Sequence, residues 1–375
     1  MHKTVVFCLA EFFPYGGLQR DFLRIALGCQ RRGASIRVYT LNWEGDIPSG
    51  FDVRIVPVWA WSNHRRMKKF AEYVQSATGR QPSAMPVVGF NKMPGLDVYF
   101  AADSCFAART ATARIFLRLL PRYRTYLKLE QAVFSARSET RVLLIAPEQQ
   151  KEFQRFYPQS SSRCTLLPPG LNPAFRCSDP QRARNRIREE FKLRENDLLL
   201  LQVGSSFNTK GVDRVIRALA VLPEPLRRRC VYLAAGNGDR VPYLRLAERL
   251  GVSGGVRFAG VRQDIPELMA AADLLVHPAR TEAAGMTLIE SLASGLPVIC
   301  SGVCGYAPYV AESGAGIVLP EPFRSEELNR QLKELLDGGK LSMLGKKACD
   351  YAGTHNLSGM HEKATDIILQ QLNNL

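Results

Sequence analysis

Several familiar signatures are missing from this 375-residue chain. No run of apolar residues is long enough to span a bilayer. The opening stretch MHKTVVFCLAEFF reaches Glu11 after about eight apolar residues and shows no small-residue cleavage site, so it is expected to form a buried first strand. Nine cysteines are scattered without CxxC spacing or a histidine cluster, which argues against a structural zinc. Their odd number suggests reduced thiols and a cytosolic protein. There is no solenoid repeat, no GxxxxGK[ST] phosphate loop and no GxGxxG fingerprint, which excludes a Walker-type NTPase and leaves a nicotinamide dehydrogenase without its motif. No DxD-type acidic pair stands beside a strand end, and no metal ligand set is expected. Acidic residues are themselves in deficit, 35 against 50 lysines and arginines, for a net charge of +15. That excess favours an anionic partner: nucleic acid, a lipid surface or a phosphorylated substrate.

Apolar runs alternate with segments of helical period along nearly the whole chain. KTVVFCLA, ASIRVYTL, MPVVGFNK, DVYFAAD and TRVLLIAP read as strands of a parallel sheet. Prolines cluster in LLPPGLNPAF, as in a linker, and a second alternation then starts at DLLLLQVG. The expected fold class is α/β, with two doubly wound Rossmann-like domains facing a central cleft. The expected boundaries are 1–167, with a basic amphipathic insert at about 104–129, then 168–355, and a C-terminal helix at 356–375 returning to the first domain. Ligands of such sheets sit at the carboxyl ends of the strands.

Four segments carry candidate chemistry. FPYGGLQRDF follows the first strand, and Gly16 and Gly17 would let a ligand approach the backbone before a helix N-terminus. An ordinary strand–turn–helix glycine pair would look the same. VGSSFNTKGVDRVI places Lys210 and Gly211 before a helix, where a cation is uncomfortable without an anion, although a solvated lysine also fits. RTEAAGMTLIESLASGLPVI holds Glu282 in a loop and Glu290 in a helix, with the amides of Gly285, Met286 and Thr287 between them. This suits a phosphate nest flanked by carboxylates for sugar hydroxyls; an acid–base pair, or a surface residue and a helix-dipole partner, are the other readings. Finally, residues 103–129 hold Arg109, Arg114, Arg118, Arg122, Arg124 and Lys128 among Leu, Phe and Tyr, with no acid after Asp103. Pro121 should split any helix there. This is the pattern of an interfacial segment on anionic lipid, of a packed helix with solvated arginines, or of a nucleic-acid surface; NHRRMKKF adds to the same basic face.

VRFAGVRQDIPELMAAADLLVHPARTEAAGMTLIESLASGLPVI resembles the nucleotide-sugar domain of retaining glycosyltransferases of the two-Rossmann GT-B type, family 4. The E-x7-E spacing, the Lys210–Gly211 loop and the Gly16–Gly17 loop occur in the order of that family. FFPYGGLQRDF, VYTLNWEGD, VVGFNKMPGLDVYFAAD and PRYRTY narrow the resemblance to the glucosyltransferases that start the outer part of the lipopolysaccharide core in Gram-negative bacteria. The resemblance implies transfer of glucose from UDP-glucose, with retention and in α-1,3 linkage, to an inner-core heptose, without a metal or cofactor. It implies a heptosylated lipid A-core acceptor and peripheral attachment to anionic lipids on the cytoplasmic face of the inner membrane, and no nucleic acid.

Carried over position by position, Glu290 would hold the ribose and Glu282 the sugar hydroxyls. Lys210 would balance the diphosphate, helped by the backbone of Gly16, Gly17, Ala284, Gly285, Met286 and Thr287. Backbone near Arg262 would meet uracil, and Asp21 and Asp103 would lie on the acceptor side. Lys210 and Glu282 are thus the expected catalytic pair. Ser205 and Thr209 stand where many relatives are basic, so the resemblance leaves two expectations: one diphosphate-binding cation is missing, or Arg176 or Arg262 supplies it.

Overall fold

The structure is a computed structural model that describes residues 3–14, 16–79, 85–111 and 115–374. Two compact units divide the chain: Met1–Gly170 with Ser358–Leu375, and Leu171–Leu357.

Among the described residues the first unit has nine strands: β1 (Thr4–Cys8), β2 (Glu11–Phe12), β3 (Ser35–Thr40), β4 (Asn42–Trp43), β5 (Phe51–Ile55), β6 (Val87–Gly89), β7 (Val98–Ala101), β8 (Arg141–Leu144) and β9 (Cys164–Leu166). Seven form a parallel sheet in the order β5-β3-β1-β6-β7-β8-β9, and β2 pairs with β4 beside it. Val5, Val6, Phe7 and Cys8 of β1 are all buried, because helices cover both faces of a parallel sheet. Strand order reverses between β1 and β6. The first helix, α1 (Gly17–Arg31), buries Phe22, Ile25, Ala26 and Cys29 at helical spacing. It packs against the helix Met360–Asn374, which belongs to this unit. The helix α2 (Asn63–Thr78) and the strand β5 were not foreseen; β5 is an edge strand with little burial, so its apolar period is weak.

The described residues of the basic insert include three helices, α3 (Phe106–Ala111), α4 (Ile115–Arg118) and α5 (Pro121–Phe134). Pro121 occupies the first turn of α5, where its missing N–H costs nothing.

The second unit has six parallel strands: β10 (Leu198–Val203), β11 (Cys230–Ala235), β12 (Val256–Gly260), β13 (Leu274–His277), β14 (Val298–Ser301) and β15 (Gly316–Leu319). Their order is β12-β11-β10-β13-β14-β15, with the reversal between β10 and β13. All nine cysteines are free. Among the described residues no helix is long and apolar enough to cross a membrane.

Candidate active site

The segments after β10 and β13 meet at the switch point of the second sheet, where open α/β sheets bind ligands. A four-residue helix, Phe207–Lys210, follows β10, and Gly211 turns the chain into the next helix, Val212–Ala220. Gly211 has φ 72°, and a Cβ there would run into the backbone oxygen of Pro278. Only glycine serves, because the turn is left-handed and pressed against the loop after β13. Further bonds clasp the two loops. Arg214 donates to the carbonyls of Pro278 and Ala279, both at 3.0 Å. Arg280 pairs with Asp213 at 2.8 and 2.7 Å, and its amide donates to the Thr209 carbonyl at 2.8 Å. Gln202 donates to the Lys210 carbonyl at 2.6 Å and in turn accepts from the Tyr232 hydroxyl.

This clasp brings the Lys210 ammonium onto Oε2 of Glu282. The same oxygen lies 3.3 Å from Nε2 of His277, the last residue of β13, which is fully buried. A carboxylate only accepts, so Nε2 carries the proton. Burial alone would raise the Glu282 carboxyl. The hydrogen bond from His277 and the charge and hydrogen bond of Lys210 outweigh it and hold the group below its ordinary value. Both donors converge on Oε2. The loop bearing Glu282 is pinned from the far side, where the amides of Gly305 and Tyr306 donate to the carbonyls of Glu282 and Ala284.

The helix Met286–Ala293 starts at Gly285, left-handed at φ 91°, with no side-chain cap. Its first-turn amides, those of Met286 and Thr287 included, are the donors a helix leaves unpaired at this end, so this is an anion-ready terminus. Glu290 lies on this helix, a little over one turn in, and is partly exposed. Arg262 is committed elsewhere. Its guanidinium makes four bonds of 2.6–3.0 Å to Glu190 and Asp264, and that hydrogen bonding holds Asp264 at about 2. The extra cation expected from Arg262 is therefore not on offer, because both edges of the fork are occupied. Arg176 is an exposed residue of the segment before Pro180. Ser205 accepts from the Asn237 amide at 3.3 Å.

In the first unit, Gly16 is the N-cap residue of α1 and Gly17 its first residue, again without a side-chain cap. A cleft of 490 Å³ opens at the carboxyl ends of β1, β6 and β7, lined among others by Glu11, Asn91, Lys92, Asp103, Arg109 and Arg122. Asp103 reaches solvent within this cleft, yet the protein crowded around it raises its carboxyl above the ordinary range, with Lys92 pulling the other way. Behind it lies Glu130, fully buried. Glu130 accepts from Lys92 at 2.6 Å, from the amides of Phe106 and Ala107 at 2.7 and 2.8 Å, and from the Tyr157 hydroxyl at 3.0 Å. Lys92 also donates to the Ser104 carbonyl at 2.8 Å. One buried carboxylate therefore fixes both the start of α3 and the turn bearing Asp103. Asp21 is not among the lining residues; its carboxylate lies 2.8 Å from Nε2 of His361 and ties α1 to the helix Met360–Asn374. Arg118, Arg122, Arg124 and Lys128 are exposed on α4 and α5, and Arg109 is exposed on α3; Arg114 lies outside the described residues. Among the described residues no group of three or more His, Cys, Asp or Glu side chains is arranged to hold a metal.

His277, Glu130 and Lys92 were not foreseen. His277 sits in an apolar run that reads as a plain buried strand. Glu130 and Lys92 are 38 positions apart, and their pairing has no local signal.

Residues 183–349 match the family described as glycosyl transferases group 1. The lipopolysaccharide glucosyltransferase WaaG of Escherichia coli (strain K12) is 46% identical over 367 residues, covering 97% of this chain and 98% of that protein. The chain belongs to this family of lipopolysaccharide glucosyltransferases. A crystal structure of WaaG, described as a glycosyltransferase involved in lipopolysaccharide biosynthesis, superposes on this glucosyltransferase with a TM-score of 0.87 at 45% identity, over 97% of this chain and 99% of that one. The Anabaena protein Alr3699/HepE, solved with UDP and glucose, shares the fold at a TM-score of 0.71 and 18% identity, with both chains covered in full. The two-Rossmann GT-B reading of the fold class is thereby established.

Proposed function

We propose that this glucosyltransferase moves glucose from UDP-glucose, with retention and in α-1,3 linkage, to an inner-core heptose of a heptosylated lipid A-core acceptor. The observation that carries the proposal is the convergence of Lys210 and His277 on one oxygen of Glu282 at the sheet's switch point. A carboxylate gripped through Oε2 presents Oε1 in a fixed direction to accept from sugar hydroxyls. Lys210 is then positioned to share its remaining N–H donors with the leaving diphosphate. The uncapped start of the helix Met286–Ala293 meets the same charge, and Glu290 one turn further takes the ribose. No metal or cofactor is needed in this scheme: the charge that develops on the diphosphate is met by a lysine and backbone dipoles. The acceptor hydroxyl arrives on the face the diphosphate leaves: its oxygen bonds the anomeric carbon as the bond to the β-phosphate oxygen breaks, its proton passes to that departing oxygen, and the cleft with Asp103 receives the acceptor. Attachment is peripheral, at the cytoplasmic face of the inner membrane, through Arg109, Arg118, Arg122, Arg124 and Lys128.

The test is transfer to a heptose-terminated core, run with UDP-glucose, UDP-galactose, UDP-N-acetylglucosamine and ADP-glucose. UDP-glucose should be the best donor and the product an α-glucoside. Transfer of another sugar in preference to glucose, or a β-linked product, would overturn the proposal.

A further inference from the structure

Two of the chain's three tryptophans stand in water. Trp59 is 64% exposed and Trp61 85%, and their rings meet edge to face at 4.5 Å. Trp43, the third, stacks on Phe12 at 3.9 Å with its indole nitrogen buried. A tryptophan carries more apolar surface than any other side chain, so an adjacent exposed pair forgoes the burial that drives folding. Neither ring belongs to the donor site, and neither lines the cleft of the first unit.

Their surroundings say what covers them. The pair directly precedes α2, whose first turns expose Arg65, Lys68 and Lys69. Lys69 reaches back to the Trp59 carbonyl at 3.1 Å, so the cations and the indoles form one surface. The inward side of the same turns lines the cleft: Asn63, Arg66 and Met67 are wall residues, and Arg66 pairs with Glu11 at 2.9 Å. The Trp segment is thus a rim of that cleft. Arg122 and Tyr126 of α5 form another part of its wall, and next to them Phe116, Leu119 and Leu120 are exposed among the arginines of α4 and α5. Indole rings favour the boundary between headgroups and acyl chains, and adjacent cations draw an anionic surface to them. A protein partner would have to offer both an apolar face and a run of acids; an anionic bilayer offers both by composition.

We propose that Trp59, Trp61 and the basic first turns of α2 form a second docking surface for an anionic bilayer, separate from α3–α5 and set at the rim of the acceptor cleft. The proposal rests on the membrane attachment given above for its setting, and on the tryptophan pair for its substance. With lipid contacts at both rims, the cleft mouth faces the membrane and a lipid-anchored saccharide enters without leaving the bilayer.

The test is intrinsic fluorescence with vesicles of phosphatidylcholine, with and without phosphatidylglycerol. Trp43 is half-buried against Phe12, so the signal that the double variant Trp59→Ser/Trp61→Ser retains is its baseline, and the change above that baseline reports the exposed pair. Emission should shift to the blue, and brominated acyl chains should quench it, only with the anionic vesicles. The double variant Trp59→Ser/Trp61→Ser should melt at the wild-type temperature, bind anionic vesicles at least about tenfold more weakly, and still glucosylate a deacylated, soluble core acceptor. Unshifted emission on vesicles that nevertheless sediment the protein would overturn the proposal. So would unchanged vesicle binding by the double variant. Loss of transfer to the soluble acceptor with vesicle binding intact would also overturn it, and would make the indoles a sugar-stacking platform. Failure of the glucosyltransferase reading shows separately, as absence of transfer by the wild type, and leaves the fluorescence result untouched.

Discussion

Lys210 and His277 share a single oxygen of Glu282. The two donors come from different segments of the second unit, the short helix after β10 and the last position of β13, and the carboxylate is oriented by both. Removing either changes the direction as well as the charge of the group.

Lys210→Ala should lower kcat by about a hundredfold, the scale of losing one preorganised cation from a site of developing charge. Steady-state transfer from UDP-glucose measures it. Lys210→Arg should recover part of the loss, since the charge returns with different reach. Turnover unchanged in Lys210→Ala would remove the lysine from the mechanism.

His277→Leu leaves burial of Glu282 opposed by Lys210 alone. The depressed carboxyl contributes stability that is present above the ordinary carboxylate value and lost as pH falls through the folded value. In the leucine variant the folded value rises, so the acid limb of the pH–rate profile should move upward. Loss of one charge-assisted hydrogen bond should also cost about tenfold in kcat/KM. An acid limb that stays in place would show that the histidine does not act on Glu282.

Glu130→Gln removes one partner of a buried ion pair and strands Lys92. The expected cost is about 3–5 kcal/mol, read as a fall in melting temperature on the order of 10 °C. Because Glu130 also caps α3, proteolysis should open the segment around residues 103–111 first. A wild-type melting curve would contradict the role given to this carboxylate.

Asp103 has the opposite electrostatics. Its folded pKa lies above the ordinary value, so the ionised form is penalised in the folded state at neutral pH. Asp103→Asn should therefore melt at the wild-type temperature or slightly above it. Transfer to the heptose acceptor should fall while KM for UDP-glucose holds. A stability loss together with normal transfer would make Asp103 a structural residue.

Much of the fold was legible in the chain because parallel strands buried on both faces leave unbroken apolar runs, as in TVVFC and LLLLQV. Gly285 and the helix from Met286 were readable for the same local reason: a glycine at a left-handed turn followed by a helical period. Glu282 and Lys210 could both be singled out, but not their direct contact, nor His277 as the second donor. Lys210 lies 72 positions away and reaches Glu282 only because β10 and β13 are neighbours. The position of Asp21 against His361 depends on a helix 340 positions on, and no local pattern announces such a pairing. Arg262 was a candidate cation only through the resemblance; its partners are Asp264, two positions on, and Glu190 of the helix Pro180–Glu190, 72 positions back, a pairing with no local signal.

The helix Met360–Asn374 completes the unit that begins the chain, while the unit Leu171–Leu357 is continuous. On the ribosome this sets an order. The unit Leu171–Leu357 can close as soon as it emerges, whereas the first unit, though synthesised earlier, lacks the helix that packs on α1 until the whole of the other unit has been made. The half made first is finished last, and a stall late in synthesis harms the beginning of the protein more than its middle.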